Sequence, residues 1–371
     1  MGKRRVDWSA LPIELLRSIA EANPDRNDVV RFRSVCASWR SSIPPCEILP
    51  SYRLPRPYPT RSGRGAYVSH RTFYRLKLTD DVNPNPSTCS SKSWLVKVGE
   101  FGFGRQCLLN PLTNLCFGLR KEINLLDYQV VEVSKEYELQ SIRGMRVDGV
   151  NKLVLFPDSA WNGTCVEDTL IFALYQDGRL GYVKDGDKTW TPLLDDPVFN
   201  YDDITVYKGK PCVVGPFGTV SWIDSSMKLI QISPPLCGMG DQMHLVVSCG
   251  ELYVVDRFFS KKRRFDHDLR GYRDCPKTIT FKVYKLDQDR WVKVKNLGDQ
   301  VFVLGKDRSF SVSATKFSGC KGNCIYFTYE DDNGVFDQNT GEIVDFQDSS
   351  HLFRLPPSWL NSNPHLNGEF K

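Results

Sequence analysis

The residue types in this chain that could do chemistry are spaced in ways that argue against most of it. A phosphate-cradling loop needs glycines between a strand and a helix. Gly102-Phe103-Gly104 supplies two, with no Lys-Ser/Thr and no helical pattern behind them, and reads as a hairpin turn. Zinc needs paired Cys or His at short spacing, and Cys320 and Cys324 have no second pair. The histidines His70, His244, His267, His351 and His365 form no HExxH or comparable cluster, and no GxSxG elbow is present. No catalytic residue, metal or cofactor is therefore expected. The one dense charge run is Lys261, Lys262, Arg263 and Arg264, in a polar insertion from Arg257 to Lys277 that also holds Phe258, Phe259 and Phe265. A charged loop between two strands accounts for it. So would a nuclear-import signal or a contact for an acidic partner, assisted by Lys3, Arg4 and Arg5.

The elements that must carry these residues fall into two textures. From Trp8 to Arg40 the pattern is helical. Pro12 suits a first turn, Glu14 suits the positive end of a helix, and Leu11, Leu15 and Ile19 recur every four residues with Leu16 beside them. Pro24 interrupts. Asn27 or Asp28 can cap a second helix, with Val29, Phe32 and Cys36 on one face and Val35 and Trp39 on another. Two apolar faces on so short a segment exceed what one partner helix covers, so a small three-helix unit must pack on the body or present a face to another protein.

Prolines at 44, 45, 50, 55, 57 and 59 then forbid helix and mark a stiff connector. Beyond Tyr67 short apolar runs alternate with turns such as Gln176-Asp177-Gly178, Lys208-Gly209-Lys210 and Gly215-Pro216-Phe217-Gly218. Trp94, Trp190 and Trp291 each open a strand, which suggests a degenerate repeat, and about 40 to 50 residues per unit would make six or seven blades. With 371 residues, 41% hydrophobic and 25% charged, the chain has ample material for a core. A net charge of +5 is too mild to argue for direct nucleic-acid binding. No signal peptide or bilayer-length apolar stretch is visible, so the expected location is intracellular, in nucleus and/or cytoplasm, with reduced thiols. Asn162-Gly163-Thr164 is then only a turn.

Leu11-Pro12, Glu14-Leu15-Leu16, Val35-Cys36 and Trp39-Arg40 together resemble the F-box pattern LPxELL with a terminal RxVCxxWR. The resemblance implies a docking surface for the Skp-family adaptor, and through it cullin and RING subunits, formed by Leu11, Pro12, Leu15, Leu16, Ile19, Val35, Cys36 and Trp39, with Arg40 at the rim. Ala20, Ala22 and Asn23 depart from the leucines found in many F-boxes. Farther on, Leu245 to Val255, Phe281 to Asp287, Trp291 to Val294 and Gly319 to Phe327 resemble a KIB-type β-propeller. Asn110 to Thr113 and Pro356 to Trp359 are similar to its turn motif and its ending. The implied fold is mainly β, a small all-α F-box of three helices followed by a propeller. Its segments would be 1–45 (F-box), 46–66 (Pro-rich connector), 67–350 (propeller) and 351–371 (tail). The implied function is a non-catalytic substrate receptor of a Skp–cullin–F-box ubiquitin ligase, its propeller capturing an unknown target protein, with no membrane partner. The alternatives are an F-box scaffold outside the ligase and a propeller that binds a small molecule.

Overall fold

A computed structural model describes residues 11–21, 32, 35–42, 53–54, 66–78, 93–101, 105–117, 128–141, 145–156, 169–184, 186–193, 200–236, 240–260, 263–266, 271–274, 276–317, 319–329, 332–345 and 350–353. Trp8, Pro24, the cap at Asn27 or Asp28, Asn162, Lys261, Lys262, His267, His365 and the ending at Pro356 lie outside these residues. So does most of the expected second helix.

Helix α1 (Ile13–Glu21) opens where expected. Pro12 donates nothing itself, and its carbonyl accepts the N–H groups of Leu15 and Leu16 at 3.1 Å. The expected second helix does not run through to Trp39. Val35 and Cys36 form a bend, and a separate helix α2 (Ala37–Ser42) carries Trp39. The break turns Trp39 onto Phe32, ring centroids 4.5 Å apart, and closes a miniature core of Leu16, Phe32, Leu11 and Trp39.

The body is built of antiparallel strands in five blade-sized sheets. Strands β1 (Arg53–Leu54), β2 (Ala66–Leu78), β3 (Ser93–Phe101), β4 (Arg105–Leu109) and β5 (Tyr128–Ser141) make the first, in the order β4-β3-β2-β5 with β1 added to β2. The second is β6 (Val150–Phe156), β7 (Leu170–Tyr175), β8 (Leu180–Lys184) and β9 (Thr191–Pro192). It joins the first through a single strand pair, Tyr137 opposite Leu153. The third is β10 (Asp203–Tyr207), β11 (Lys210–Val214), β12 (Val220–Ile223) and β13 (Leu229–Gln231). The fourth is β14 (Gln242–Ser248), β15 (Glu251–Ser260), β18 (Lys277–Asp287) and β19 (Arg290–Val294), and between β15 and β18 the chain leaves as a separate ribbon, β16 (Arg263–Asp266) with β17 (Gly271–Asp274). The fifth is β20 (Gln300–Leu304), β21 (Ser309–Ser313), β22 (Cys324–Tyr329), β23 (Asp332–Asp337) and β24 (Ile343–Asp345), with β20 and β22 parallel.

Burial shows how the sheets close on one another. Strand alternation gives each sheet two apolar faces, and one core cluster fills each gap between sequence neighbours. Leu139 and Ile171 share one cluster, Phe172 and Ile204 the next, then Val214 and Leu245, and Val255 and Phe302. A fifth cluster joins the last sheet to the first, with Phe73 against Phe310 at 4.6 Å and Leu352 and Phe353 sealed into the same seam. Five sheets joined by five clusters in a ring is a β-propeller. The expectation of six or seven blades is corrected to five among the described residues. The sheets are larger than the assumed repeat, since the first alone runs from residue 66 to 141 and the fourth carries an inserted ribbon. The segment assigned to the tail also begins inside the core.

The hairpins β10–β11, β14–β15 and β18–β19 turn through two residues that both have positive φ: Lys208 and Gly209, Cys249 and Gly250, Gln288 and Asp289. That is the turn whose twist matches paired strands. Gln288 and Asp289 manage it without glycine.

Candidate functional site

The helical unit separates its apolar residues cleanly. Leu16 is fully buried and Phe32 nearly so, and Arg17 Nε donates to the Ser42 carbonyl at 3.4 Å to tie α1 to α2. Ile13, Leu15, Ile19 and Val35 are instead 41%, 51%, 38% and 44% exposed. Eleven large apolar side chains are exposed among the described residues, and this short segment holds four of them. That is a high density of water-facing apolar surface for a unit this small. Pro12 and Arg40 are exposed, and Leu11, Cys36 and Trp39 are half-buried at its edge. Of the residues assigned to the adaptor surface, Leu16 is fully buried, and Leu11 and Trp39 pack against it and Phe32.

A second surface is defined by one end of the propeller. Gln176 N–H donates to the Gly149 carbonyl and Tyr201 N–H to that of Gly178, which puts residues 145–149, 176–179 and 200–202 together. Asp203 pairs with Val214, Leu236 N–H donates to the Phe217 carbonyl, and Asp241 N–H to that of Arg257. The 215–219 turn, the approach to β14 and the base of the β16–β17 ribbon therefore share this end. Met145 and Phe217 are exposed here, and so is Ile279 beside the ribbon's base. Three other exposed apolar residues, Ile230, Val292 and Val344, sit on the outermost strands β13, β19 and β24.

Under this end lies a set of buried charges that cross between sheets. Asp307, in the β20–β21 turn, accepts from Arg146 at 2.5 Å, from Arg71 at 3.2 Å and from Asn114 at 3.4 Å. Arg71 also bridges Glu138 and Glu136, and Glu136 pairs with Lys97. Burial pushes Glu136 up and Lys97 down, while their mutual attraction opposes both shifts. Burial also pulls on Arg71, but Glu138, Glu136 and Asp307 more than offset it, so its guanidinium is held above the ordinary value. Lys152 of β6 pairs with Asp203 of β10, whose other oxygen accepts the Leu245 N–H of β14 at 2.8 Å. Arg257 reaches Asp332 at 3.4 Å and Thr278 at 2.6 Å. Each group links neighbouring sheets, and the first closes the ring.

Burial also sets the state of three side chains that could do chemistry. Burial beside Arg257 and Lys152 drives the His244 imidazole well below its usual range, so it is neutral and buried in a wall. Burial pushes the Cys320 thiol to about 12 and that of Cys324 to about 11, far from the thiolate a nucleophile needs. Among the described residues no group of His, Cys, Asp or Glu is placed to hold a metal ion, and no helix is long and apolar enough to cross a membrane.

Sequence reasoning missed the charge network, although its signal is visible. Lys97 interrupts Trp94-Leu95-Val96 and Val98, and Lys152 interrupts Val150 and Leu153-Val154. A cation in the middle of a β-apolar run is expensive unless paired. Arg263 and Arg264 belong to strand β16, so the basic run enters a ribbon rather than an irregular loop.

The KIB1-4 beta-propeller family matches residues 65–344, nearly all of the five-sheet body. The chain belongs to this family. F-box protein SKIP23 of Arabidopsis thaliana is 30% identical over 400 residues, covering 96% of each chain. From the same plant, F-box protein At4g35733 is 31% identical over 368 residues, 92% of this chain and 95% of its own. At1g65770, which also carries the F-box name, is 32% identical over 354 residues, 90% and 92% of the two chains. A match over 96% of the chain leaves too few residues outside it to omit the helical segment. The similarity to these F-box-named proteins therefore extends over the helical segment as well as the propeller body.

Proposed function

We propose that this chain is the substrate receptor of a Skp–cullin–F-box ubiquitin ligase. The observation that carries the reading is the exposed face of Leu15 and Ile19, with Ile13 and Val35 also exposed, on a helical unit whose own core is already satisfied by Leu16, Phe32 and Trp39. A Skp-family adaptor covers that face, with Leu11, Pro12, Cys36 and Trp39 at its margin and Arg40 at the rim. The F-box names of the relatives favour this partner. The propeller end with Met145, Phe217 and the β16–β17 ribbon captures the target protein. No residue of the chain acts as nucleophile or base. Its contribution is to raise the effective concentration of target at the ubiquitin-transfer machinery supplied by cullin and RING subunits, in nucleus and/or cytoplasm.

The test is reconstitution. The full chain mixed with adaptor, cullin and RING subunits is expected to elute as one stoichiometric complex, and recovery of cullin must depend on the adaptor. An adaptor complex that never recruits cullin would favour a scaffold outside the ligase. No adaptor complex at all would sink the receptor reading.

A further inference from the structure

The β16–β17 ribbon stands out for where it places charge. Residues 261–277 contain seven Lys or Arg and three Asp, so this single segment holds all but one unit of the chain's net +5. The rest of the protein is close to neutral. The ribbon is held firmly at its base. β15 and β18 stay paired as far as Ser260 opposite Lys277, Phe259 N–H donates to Asp241 at 2.7 Å, and Lys277 lies 3.5 Å from Asp332. Two acids at that base are already engaged, Asp332 by Arg257 and Thr278 and Asp241 by Phe259. Within the ribbon Arg263 stands opposite Asp274, but Arg264 stands opposite Arg273. Next to the base, Ile279 is 54% exposed at the point where the β15–β18 register shifts, and Phe217 is 66% exposed on the same end of the propeller.

We infer that the ribbon is the docking arm for an acidic segment of a partner protein, one that carries an apolar side chain for the Ile279 and Phe217 surface. Charge complementarity selects the partner and speeds its approach, while apolar contact holds it. A nucleic acid fits less well, because a phosphate backbone needs a track of cations along its length and the rest of the chain adds a net charge of only about one. The inference rests on the receptor reading only in taking this end of the propeller as the target face.

Fluorescence anisotropy of the full chain in complex with its adaptor tests it. The probes are three synthetic peptides of equal length sharing the same Leu and Phe anchors, one rich in Glu, one uncharged and one rich in Lys, with a single-stranded oligonucleotide as the fourth. The acidic peptide is expected to bind best, to weaken as salt rises, and to lose about tenfold in affinity with Arg263→Glu, Arg264→Glu and Arg273→Glu combined. The milder triple change to Gln should give an intermediate loss with unchanged melting temperature, which separates charge from misfolding. Binding that ignores peptide charge, equal binding by wild type and variants, no binding by wild type, or tighter binding of the oligonucleotide would each overturn the inference. Adaptor co-elution is read in the same samples, so failure of the arm is distinguishable from failure of the receptor reading.

Discussion

Leu15 leaves half its surface in water, whereas Leu16, one position further round the same helix, is sealed against Phe32. Their substitutions should therefore separate binding from folding. Leu16→Ala should destabilise the helical unit by about 2–5 kcal/mol, and Leu15→Asp should change its stability by no more than about 0.5 kcal/mol. Hydrogen exchange of the α1 amides reads both, and equal loss of protection would show that Leu15 is internal. Asp256 supports a second prediction at this scale. It is fully buried, a Cβ at Gly240 would fall 1.7 Å from its Oδ1, and neither carboxylate oxygen makes a hydrogen bond of ordinary geometry. Burial pushes its carboxyl up to about 6, opposed by Lys282. A carboxyl raised in the folded state binds its proton more readily there than in the unfolded chain. Its cost to stability is thus full above pH 6 and fades as pH falls toward the ordinary carboxylate value. Asp256→Asn should stabilise the protein by about 2 kcal/mol at pH 7.5 and by almost nothing near pH 4. Thermal melts at the two pH values check this, and an equal gain at both would rule out the ionisation as its cause.

At the scale of elements, the ring depends on contacts that strand propensity does not report. Lys152→Met would leave Asp203 buried and unpaired between β6, β10 and β14, at a cost of about 3–5 kcal/mol in urea unfolding. A loss under 1 kcal/mol would mean that the Ile204 and Leu245 N–H groups alone satisfy Asp203. The seam between first and last sheets is also open to test. Ending the chain at Asp345 removes Leu352 and Phe353 from the cluster around Tyr326 and Phe310, and should cost about 2–5 kcal/mol with exchange protection lost first in β3 and β22. Unchanged protection there would show that the segment is dispensable. Much of this level was legible in sequence. Trp190 and Trp291 precede or open the outermost strands of the second and fourth sheets, and each packs on the cluster shared with the preceding sheet. Those two positions of the suspected repeat are equivalent. Trp94 differs: it lies third from the ring's inner edge and packs edge-on against Tyr128.

For the whole molecule, the order of a helical unit followed by a mainly β body could be read from periodicity, because that signal is local. The blade count could not, because it depends on which strands lie in one sheet, and β5 returns beside β2 only after β3 and β4 have been laid outside it. The helix break at Val35 and Cys36 was hidden for a similar reason. An apolar pattern continues through it, and only the packing of Trp39 on Phe32 fixes where the chain must turn. The surface at Leu15, Ile19 and Val35 was identified from its residues, but exposure was needed to separate it from Leu16. That surface carries the central claim. Titration of a purified Skp-family adaptor into the full chain, beside a variant carrying Leu15→Asp and Val35→Asp, tests it most directly by calorimetry. Both residues are exposed, so the variant should keep the wild-type melting profile. The prediction is one-to-one binding by wild type and at least a hundredfold loss in the variant, or about 3 kcal/mol. Equal affinity of wild type and folded variant, or no heat from wild type, would contradict it.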